Sequence, residues 1–336
     1  MNGDQQVVAS GKVRWGILGT GHIARKFAEG LAFQPDAELV AIGSRSQATA
    51  VAFGDDFDVR RRYASYEALA GDPDVQVVYV ATPHTLHRDN SRLCLQAGKA
   101  VLCEKPFAIN AAEAAELIEL ARERQLFLME AMWTRFLPLF VEVRSLLAQE
   151  VIGEVRMVTA DFGFRAEPID PRSRLFDPAL GGGALLDVGI YPVTLAFMVL
   201  GRPAQAMSMA HLGRTGVDEQ AAIILGYEQG QLAVLTTATR TETPQEATLF
   251  GTQGSIKIHS PWWRSTHLTL SIKGAPDRVI ERPIASNGYN YEAAEVIRCL
   301  RAGRLESEVM PLDETLAMMC TLDEIRAQWG LKYPGE

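Results

Sequence analysis

The stretch VRWGILGTGHIA, Val13 to Ala24, runs from a short strand-favouring segment straight into the turn Gly19-Thr20-Gly21-His22-Ile23-Ala24. A strand, a tight glycine turn and a helix start, in that order, form the G-x-G-x-x-A fingerprint that cradles the pyrophosphate of a dinucleotide. Gly19 allows the sharp turn, Gly21 leaves room for the phosphates, and Ala24 lets the helix lie close to the strand. The phosphates then rest on the unpaired N–H groups of the first helical turn. An ordinary βα turn has the same spacing, so the segments that follow have to decide.

They repeat the pattern. A helix is expected over Ile23 to Leu31, a strand over Glu38 to Gly43 and a helix over Gln47 to Phe53, which completes a βαβ unit. Tyr66 to Ala70 reads as a helical turn, Val75 to Ala81 as a buried strand, Leu86 to Ala97 as a helix and Ala100 to Cys103 as a strand. Asn110 and Glu113 form a capping box for a helix ending near Arg124, and Leu126 to Glu130 is the next strand. The sheet is therefore expected to be parallel and doubly wound, in the Rossmann manner. Arg60-Arg61-Arg62 reads as a solvated basic patch in a loop or edge strand.

Composition narrows the classes. At 336 residues, 47% hydrophobic and 22% charged, the chain is long enough for two cores. A formal charge of -8 argues against nucleic acid as a partner, because phosphate binding needs a basic face. Cys94, Cys103, Cys299 and Cys320 are far apart and read as reduced thiols of a cytoplasmic protein. No apolar run looks long enough to span a bilayer, so no membrane partner is expected. Met1 to Lys12 reads as a loose tail without a signal pattern.

Beyond Glu154 the periodicity changes. After one helical segment following Ala184, strand-like runs at Ala221 to Gly226, Gln231 to Ala238 and Ser255 to His259 are separated by short turns, and helices return at Tyr291 to Arg301 and Leu312 to Trp329. This reads as an α+β domain with a largely antiparallel, open-faced sheet. The expected division is a tail over 1–12, a Rossmann domain over 13–131 and a substrate-binding and dimerisation domain over 132–336. A sheet bare on one face needs cover, and a two-fold pairing of copies supplies it, as a homodimer or within a tetramer.

Two further stretches carry chemistry. Cys103-Glu104-Lys105-Pro106 follows a strand at the carboxyl edge of the parallel sheet, where such folds bind ligands. Gly181-Gly182-Gly183 precedes a helix on which Asp187 and Tyr191, four apart, share a face. The second strand ends Ala41-Ile42-Gly43-Ser44-Arg45, without the acid that binds the ribose diol of NAD. NADP is therefore favoured, with Ser44 and Arg45 on its 2′-phosphate.

These motifs, with ATPHTLH from Ala81, GKAVLCEKPFAIN from Gly98, MEAMWTRFLP from Met129 and GGGALLDVGIYPV from Gly181, resemble the glucose-fructose oxidoreductase, inositol dehydrogenase and MocA family over nearly the whole chain. The branch most similar in wording is that of the dimeric dihydrodiol dehydrogenases and NADP-dependent sugar dehydrogenases. Tyr191 stands where many relatives carry histidine.

The resemblance implies an NADP-dependent oxidoreductase acting on a hydroxyl or carbonyl of a sugar or cyclic diol, with pairing through the second sheet. It implies Tyr191 as the acid/base, Lys105 as the ammonium that steadies the reacting oxygen, and Asp187 as a residue that orients them. It also implies that Thr82, Pro83, His87, Glu104 and Lys105 line the cofactor together with Gly19, Thr20, Gly21, His22 and Ile23. His84, Trp133, Arg135 and Phe162 are then expected to line the substrate pocket. His84 and His87 have no carboxylate or cysteine at ligand spacing, so no metal is expected. Two other readings fit the same motifs: a self-recycling sugar-sugar oxidoreductase with tightly held NADP, and a catalytically silent NADP-binding regulator. The first type carries a long N-terminal arm and an export signal, which Met1 to Lys12 does not supply. The second has no need of both Lys105 and Tyr191.

Overall fold

The computed structural model describes residues 11–336, so residues 1–10 of the expected tail lie outside the described residues. In chain order the first elements are β1 (Val13–Leu18), α1 (His22–Leu31), β2 (Ala37–Gly43), α2 (Gln47–Asp56), β3 (Arg61–Tyr63) and α3 (Tyr66–Ala70). They are followed by β4 (Val77–Val80), α4 (His87–Gln96), β5 (Ala100–Glu104), α5 (Ala111–Arg124) and β6 (Leu128–Ala131). Then come α6 (Pro138–Ala148), β7 (Val155–Gly163), α7 (Ile190–Leu200), β8 (Gln205–Leu212), β9 (Asp218–Gly226) and β10 (Leu232–Ala238). The last are β11 (Ala247–Gly251), β12 (Gly254–Ile258), β13 (His267–Ile272), β14 (Arg278–Glu281), α8 (Tyr289–Arg301) and α9 (Leu312–Trp329).

The first six strands form one parallel sheet in the order β3-β2-β1-β4-β5-β6. This is the doubly wound order in which the winding reverses between β1 and β4. Every residue of β4 and β5 is buried, as parallel strands covered on both faces must be. At the centre Phe27 of α1 lies between Trp15 of β1 and Tyr79 of β4, tilted at 5.4 Å from the first and stacked at 3.7 Å on the second. Such ring pairs contribute about 0.5–1.5 kcal/mol each beyond their buried area. The arginine cluster lies on edge strand β3, but it is not simply solvated. Arg61 pairs with Asp72 and Asp74, and Arg62 with Asp55.

The chain divides into two compact units at places other than the expected boundary between 131 and 132. The first holds the residues up to Ala108 with Ala112–Phe136 and Ala285–Thr315; the second holds Ile109–Ala111, Leu137–Ile284 and Leu316–Glu336. The return of α8 to the first unit has a physical cause. Its N-terminal region fastens to α1 and the turn after it: Gln34 donates to the Asn290 carbonyl at 2.7 Å and Asn287 donates to the Lys26 carbonyl at 2.7 Å.

The second unit is built on an eight-stranded sheet of order β14-β13-β12-β11-β7-β10-β9-β8. Its pairs are antiparallel except for β7 with β10, which run parallel. Alternation along β9 and β10 buries Ala221, Ile223, Leu225, Ala233 and Leu235, and turns Ala222, Ile224, Leu232 and Val234 outward. The bilayer expectation needs correction. Pro178–Leu200 is a helical run long and apolar enough to cross a membrane by length and composition, but 83% of its most apolar window is buried inside the protein. It is a core helix, and α7 packs on β7 and β10.

Glu130 of β6 ties distant parts of the first unit together. It is fully buried and accepts the Phe107 N–H at 3.1 Å and the Thr315 hydroxyl at 3.2 Å. Burial pushes its carboxyl up from 4.5 to about 7, against the pull of Arg135. A carboxyl raised by folding favours the native state most when protonated, so its contribution is lost as pH rises from about 4.5 through about 7. Urea-unfolding free energies should decline across that window, and Glu130→Gln should remove part of the decline. An identical slope in the variant would assign the pH dependence to other groups.

Candidate active site

In the first unit the predicted residues gather at the carboxyl ends of β1, β2, β4 and β5. Gly19 has φ +102°, and an added β-carbon there would lie 2.6 Å from the Ala81 carbonyl oxygen. Only glycine permits this approach of the two loops. At Gly21 an added β-carbon meets nothing within 4 Å, and no side chain caps the start of α1. Thr20 is half-buried and His22 exposed, with Ile23 half-buried behind them. An open glycine before uncapped helical N–H groups fits a pyrophosphate. Among the described residues, then, this chain carries a cradle suited to a dinucleotide.

At the end of β2, Ser44 is buried with its hydroxyl 2.6 Å from that of Thr49. Arg45 is exposed and reaches the hydroxyl of Tyr66, opposing the upward push that burial gives that phenol. No acidic side chain stands between Ala41 and Arg45.

The loop after β5 is held from two sides. Tyr79 donates its hydroxyl to Glu104, and the other oxygen of Glu104 accepts the Lys105 N–H at 3.1 Å. The Lys105–Pro106 peptide is cis, and Lys105 is half-buried. His87 is fully buried, with Nδ1 2.7 Å from the Pro106 carbonyl and Nε2 2.8 Å from the Thr82 carbonyl. Burial pushes its pKa down although both carbonyls pull it up. Both ring nitrogens thus serve the backbone, and His87 fastens the loop after β4, with Thr82 and Pro83, to the lysine loop. His84 is half-buried, its ring 5.7 Å from that of His87.

Two expected pocket walls have partners within this unit. Arg135 is 2% exposed; it donates to the Val309 carbonyl at 3.0 Å and pairs with Glu314. A buried guanidinium must be paired in this way. Trp133 stacks on Tyr289 at 4.8 Å with ring planes 19° apart.

In the second unit, Leu185–Gly189 forms a π-helical turn leading into α7. Asp187 lies within that turn and Tyr191 in the first turn of α7, so the simple α-helical spacing expected of them is widened. Asp187 is buried and accepts from Arg174 at 2.7 Å. Phe162 lies 5.4 Å from the Tyr191 ring and stacks on Trp263 at 3.4 Å. Arg174, Trp263, Tyr79 and Tyr289 escaped the sequence reading. Their partners are remote in sequence or lie in segments without periodicity, and no motif marks them.

Each unit therefore contributes one kind of chemistry. The first offers a dinucleotide cradle and a lysine on a braced loop. The second offers a tyrosine beside an aromatic wall and an arginine-paired carboxylate, a set suited to proton exchange with a bound hydroxyl.

Comparison with known proteins identifies the family. Residues 13–132 match the model of an oxidoreductase family with an NAD-binding Rossmann fold, GFO/IDH/MocA, and residues 140–257 match a C-terminal domain of that family. Trans-1,2-dihydrobenzene-1,2-diol dehydrogenase of Xenopus tropicalis is 39% identical over 333 residues, covering 96% of this chain and 99% of the relative. Among solved structures, an aldose-aldose oxidoreductase from Caulobacter crescentus complexed with glycerol superposes with TM-score 0.86 at 26% identity, covering 95% and 98% of the two chains. A 3-ketoreductase from Actinomadura kijaniata in complex with NADP and TDP-benzene gives TM-score 0.85 at 27% identity, covering 94% and 97%. By sequence over nearly its whole length and by fold, this chain belongs to the GFO/IDH/MocA oxidoreductase family.

Proposed function

We propose that this protein is an NADP-dependent oxidoreductase that moves a hydride between the nicotinamide and a secondary or anomeric hydroxyl or carbonyl of a sugar or cyclic diol. The observation that carries the reading is the open glycine cradle at Gly19–Gly21, combined with an acid-free strand end at which Arg45 is exposed. The dihydrodiol dehydrogenase relatives support a cyclic diol, and the aldose-aldose oxidoreductase supports a sugar. Nicotinamide, when bound, supplies or accepts the hydride.

The chain's own residues do the rest. Gly21 and the first N–H groups of α1 hold the pyrophosphate, and Ser44 and Arg45 bind the 2′-phosphate. Tyr191 exchanges a proton with the substrate oxygen. A phenol of ordinary pKa, about 10, needs positive charge to act as a base near neutrality, and the family resemblance assigns that charge to the Lys105 ammonium. Asp187, paired with Arg174, keeps a negative end beside the substrate hydroxyls, and Phe162 gives the sugar or diol ring a flat wall.

Assembly belongs to the same reading. Along the outward face of the second sheet, Met207 lies opposite Ile224, Ile224 opposite Val234, Leu232 opposite Met157, and Met157 opposite Phe250. These side chains are exposed, Met209 most of all at 79%. A continuous apolar face of this kind calls for cover, and a second copy of the chain, placed by a two-fold axis, covers both faces at once. The protein works as a homodimer in the cytoplasm, without nucleic acid or membrane. The four free thiols and the charge of -8 support that placement.

Three measurements test these assignments. Fluorescence titration should show NADPH binding more tightly than NADH, and Arg45→Ala should weaken NADPH by roughly 10-fold while leaving NADH nearly unchanged. Equal affinities in the parent would remove the 2′-phosphate role. A turnover screen with NADP against aldoses, cyclic polyols and dihydrodiols should yield a substrate on which Tyr191→Phe and Lys105→Met each lose roughly 10²-fold or more in kcat, with NADPH still bound by Tyr191→Phe. Near-parental turnover in either variant would transfer the proton chemistry to another group. Sedimentation at micromolar concentration should give twice the chain mass, and Val234→Glu should shift it toward the monomer. A dimer indifferent to that charge would place the contact on another surface.

A further inference from the structure

The glycine turn before Tyr191 is held by side chains from two distant parts of the second unit. Gly181 and Gly183 have φ of +72° and +121°, so the turn adopts backbone that other residues resist. An added β-carbon on Gly183 would lie 2.2 Å from Asp218 Oδ1 and 3.3 Å from the Tyr333 hydroxyl. On Gly182 it would lie 3.0 Å from the backbone of Asp177. The turn is therefore enclosed by protein, which limits its freedom to shift.

Beside the backbone hydrogen bonds that Gly182 and Gly183 donate to the Asp177 and Leu175 carbonyls, the side chains of Asp218 and Tyr333 fix it in place. Asp218 of β9 is fully buried, and its Oδ2 accepts the Leu185 N–H at 2.7 Å, at the start of the π-helical turn. Tyr333 is 2% exposed and donates its hydroxyl to the Gly182 carbonyl at 2.7 Å. The segment carrying Tyr333 is itself anchored. Its own N–H donates to Glu336 at 2.7 Å, Glu336 receives Arg326 at 2.8 Å, and the Arg326 guanidinium lies over the Tyr333 ring at 4.9 Å. Arg326 is buried and held in turn by Asp323 and by the Ile109 carbonyl.

We propose that Asp218 and Tyr333 are positioning residues for Tyr191, fixing the origin of the helical segment that presents its hydroxyl. This rests on the reading of Tyr191 as the proton-exchanging group. Neither residue need touch the substrate. A displacement of about 1 Å in a catalytic group is enough to cost roughly 10²-fold in rate. Freeing the start of this segment at one fastening should cost less, because the others still hold.

The test is a double-mutant cycle on the best substrate of the panel, with melting temperature and NADPH affinity measured alongside. Tyr333→Phe, which removes one hydroxyl, should lower kcat roughly 10-fold while KM and the NADPH Kd stay within about twofold. Asp218→Ala should lower kcat at least as far, and Tyr333→Phe decides the matter should that variant not fold. In the Tyr191→Phe background, Tyr333→Phe should add no further loss, because the group it positions has gone. A purely structural role would lower both backgrounds equally. Parental kcat in Tyr333→Phe, a change confined to KM, or an equal loss on top of Tyr191→Phe overturns the inference while leaving Tyr191 in its role. Parental kcat in Tyr191→Phe overturns the role of Tyr191, and the inference with it.

Discussion

The absence of a β-carbon at Gly19 is the constraint on which the cofactor half of this protein depends. With 2.6 Å between that position and the Ala81 carbonyl oxygen, the loops after β1 and β4 close against each other only if residue 19 is glycine. That approach sets where the start of α1 opens and where Thr82 stands. The Thr82 carbonyl lies 2.8 Å from one ring nitrogen of His87, and the Pro106 carbonyl, beside Lys105, lies 2.7 Å from the other. Position is thus passed from a glycine turn, through one buried imidazole, to the lysine loop without any exposed contact.

Buried carboxylates continue this bracing. Glu104 takes the Tyr79 hydroxyl and the Lys105 N–H, and Glu130 takes the Phe107 N–H on the far side of the same loop. In the second unit Asp187 takes Arg174, and Asp218 takes the Leu185 N–H. Burying a carboxyl is costly unless its oxygens are satisfied. Each of these acids holds backbone or side chain in place, although Asp218 Oδ1 is itself left without a hydrogen-bond partner. Glu292 is different: it is fully buried on α8 with neither oxygen hydrogen-bonded, and burial together with Glu104 pushes its pKa well up.

What could be read from the sequence follows from how local the determinant is. The glycine fingerprint and the alternation along β9 and β10 are short-range patterns: α1 and β10 start within a residue of expectation and β9 three residues before it, while α7 starts only at Ile190, after the π-helical turn. β7, which lies inside the second sheet between β11 and β10, has no legible strand signal because Arg156, Thr159 and Asp161 interrupt its apolar pattern. The pairing of Arg135 with Glu314, 179 residues away, has no signal in the sequence. A comparable separation hides Tyr333, 151 residues from the carbonyl it serves. Motifs mark residues whose role is set by their neighbours in sequence; partners supplied by tertiary folding leave no such mark.

The path of the chain has a consequence for recombination. The first unit is not a cassette that ends where the nucleotide fingerprint's sheet ends, because Ala285–Thr315 comes back to complete it. Leu128 at the start of β6 donates to the Leu305 carbonyl, Glu130 needs the Thr315 hydroxyl, and Arg135 needs Glu314. A chimera joined once, after Phe136, would pair these groups with residues from a different parent. Grafting a foreign substrate half onto this nucleotide half therefore requires keeping the returning segment with its own parent, and a relative's specificity cannot be moved by a single crossover.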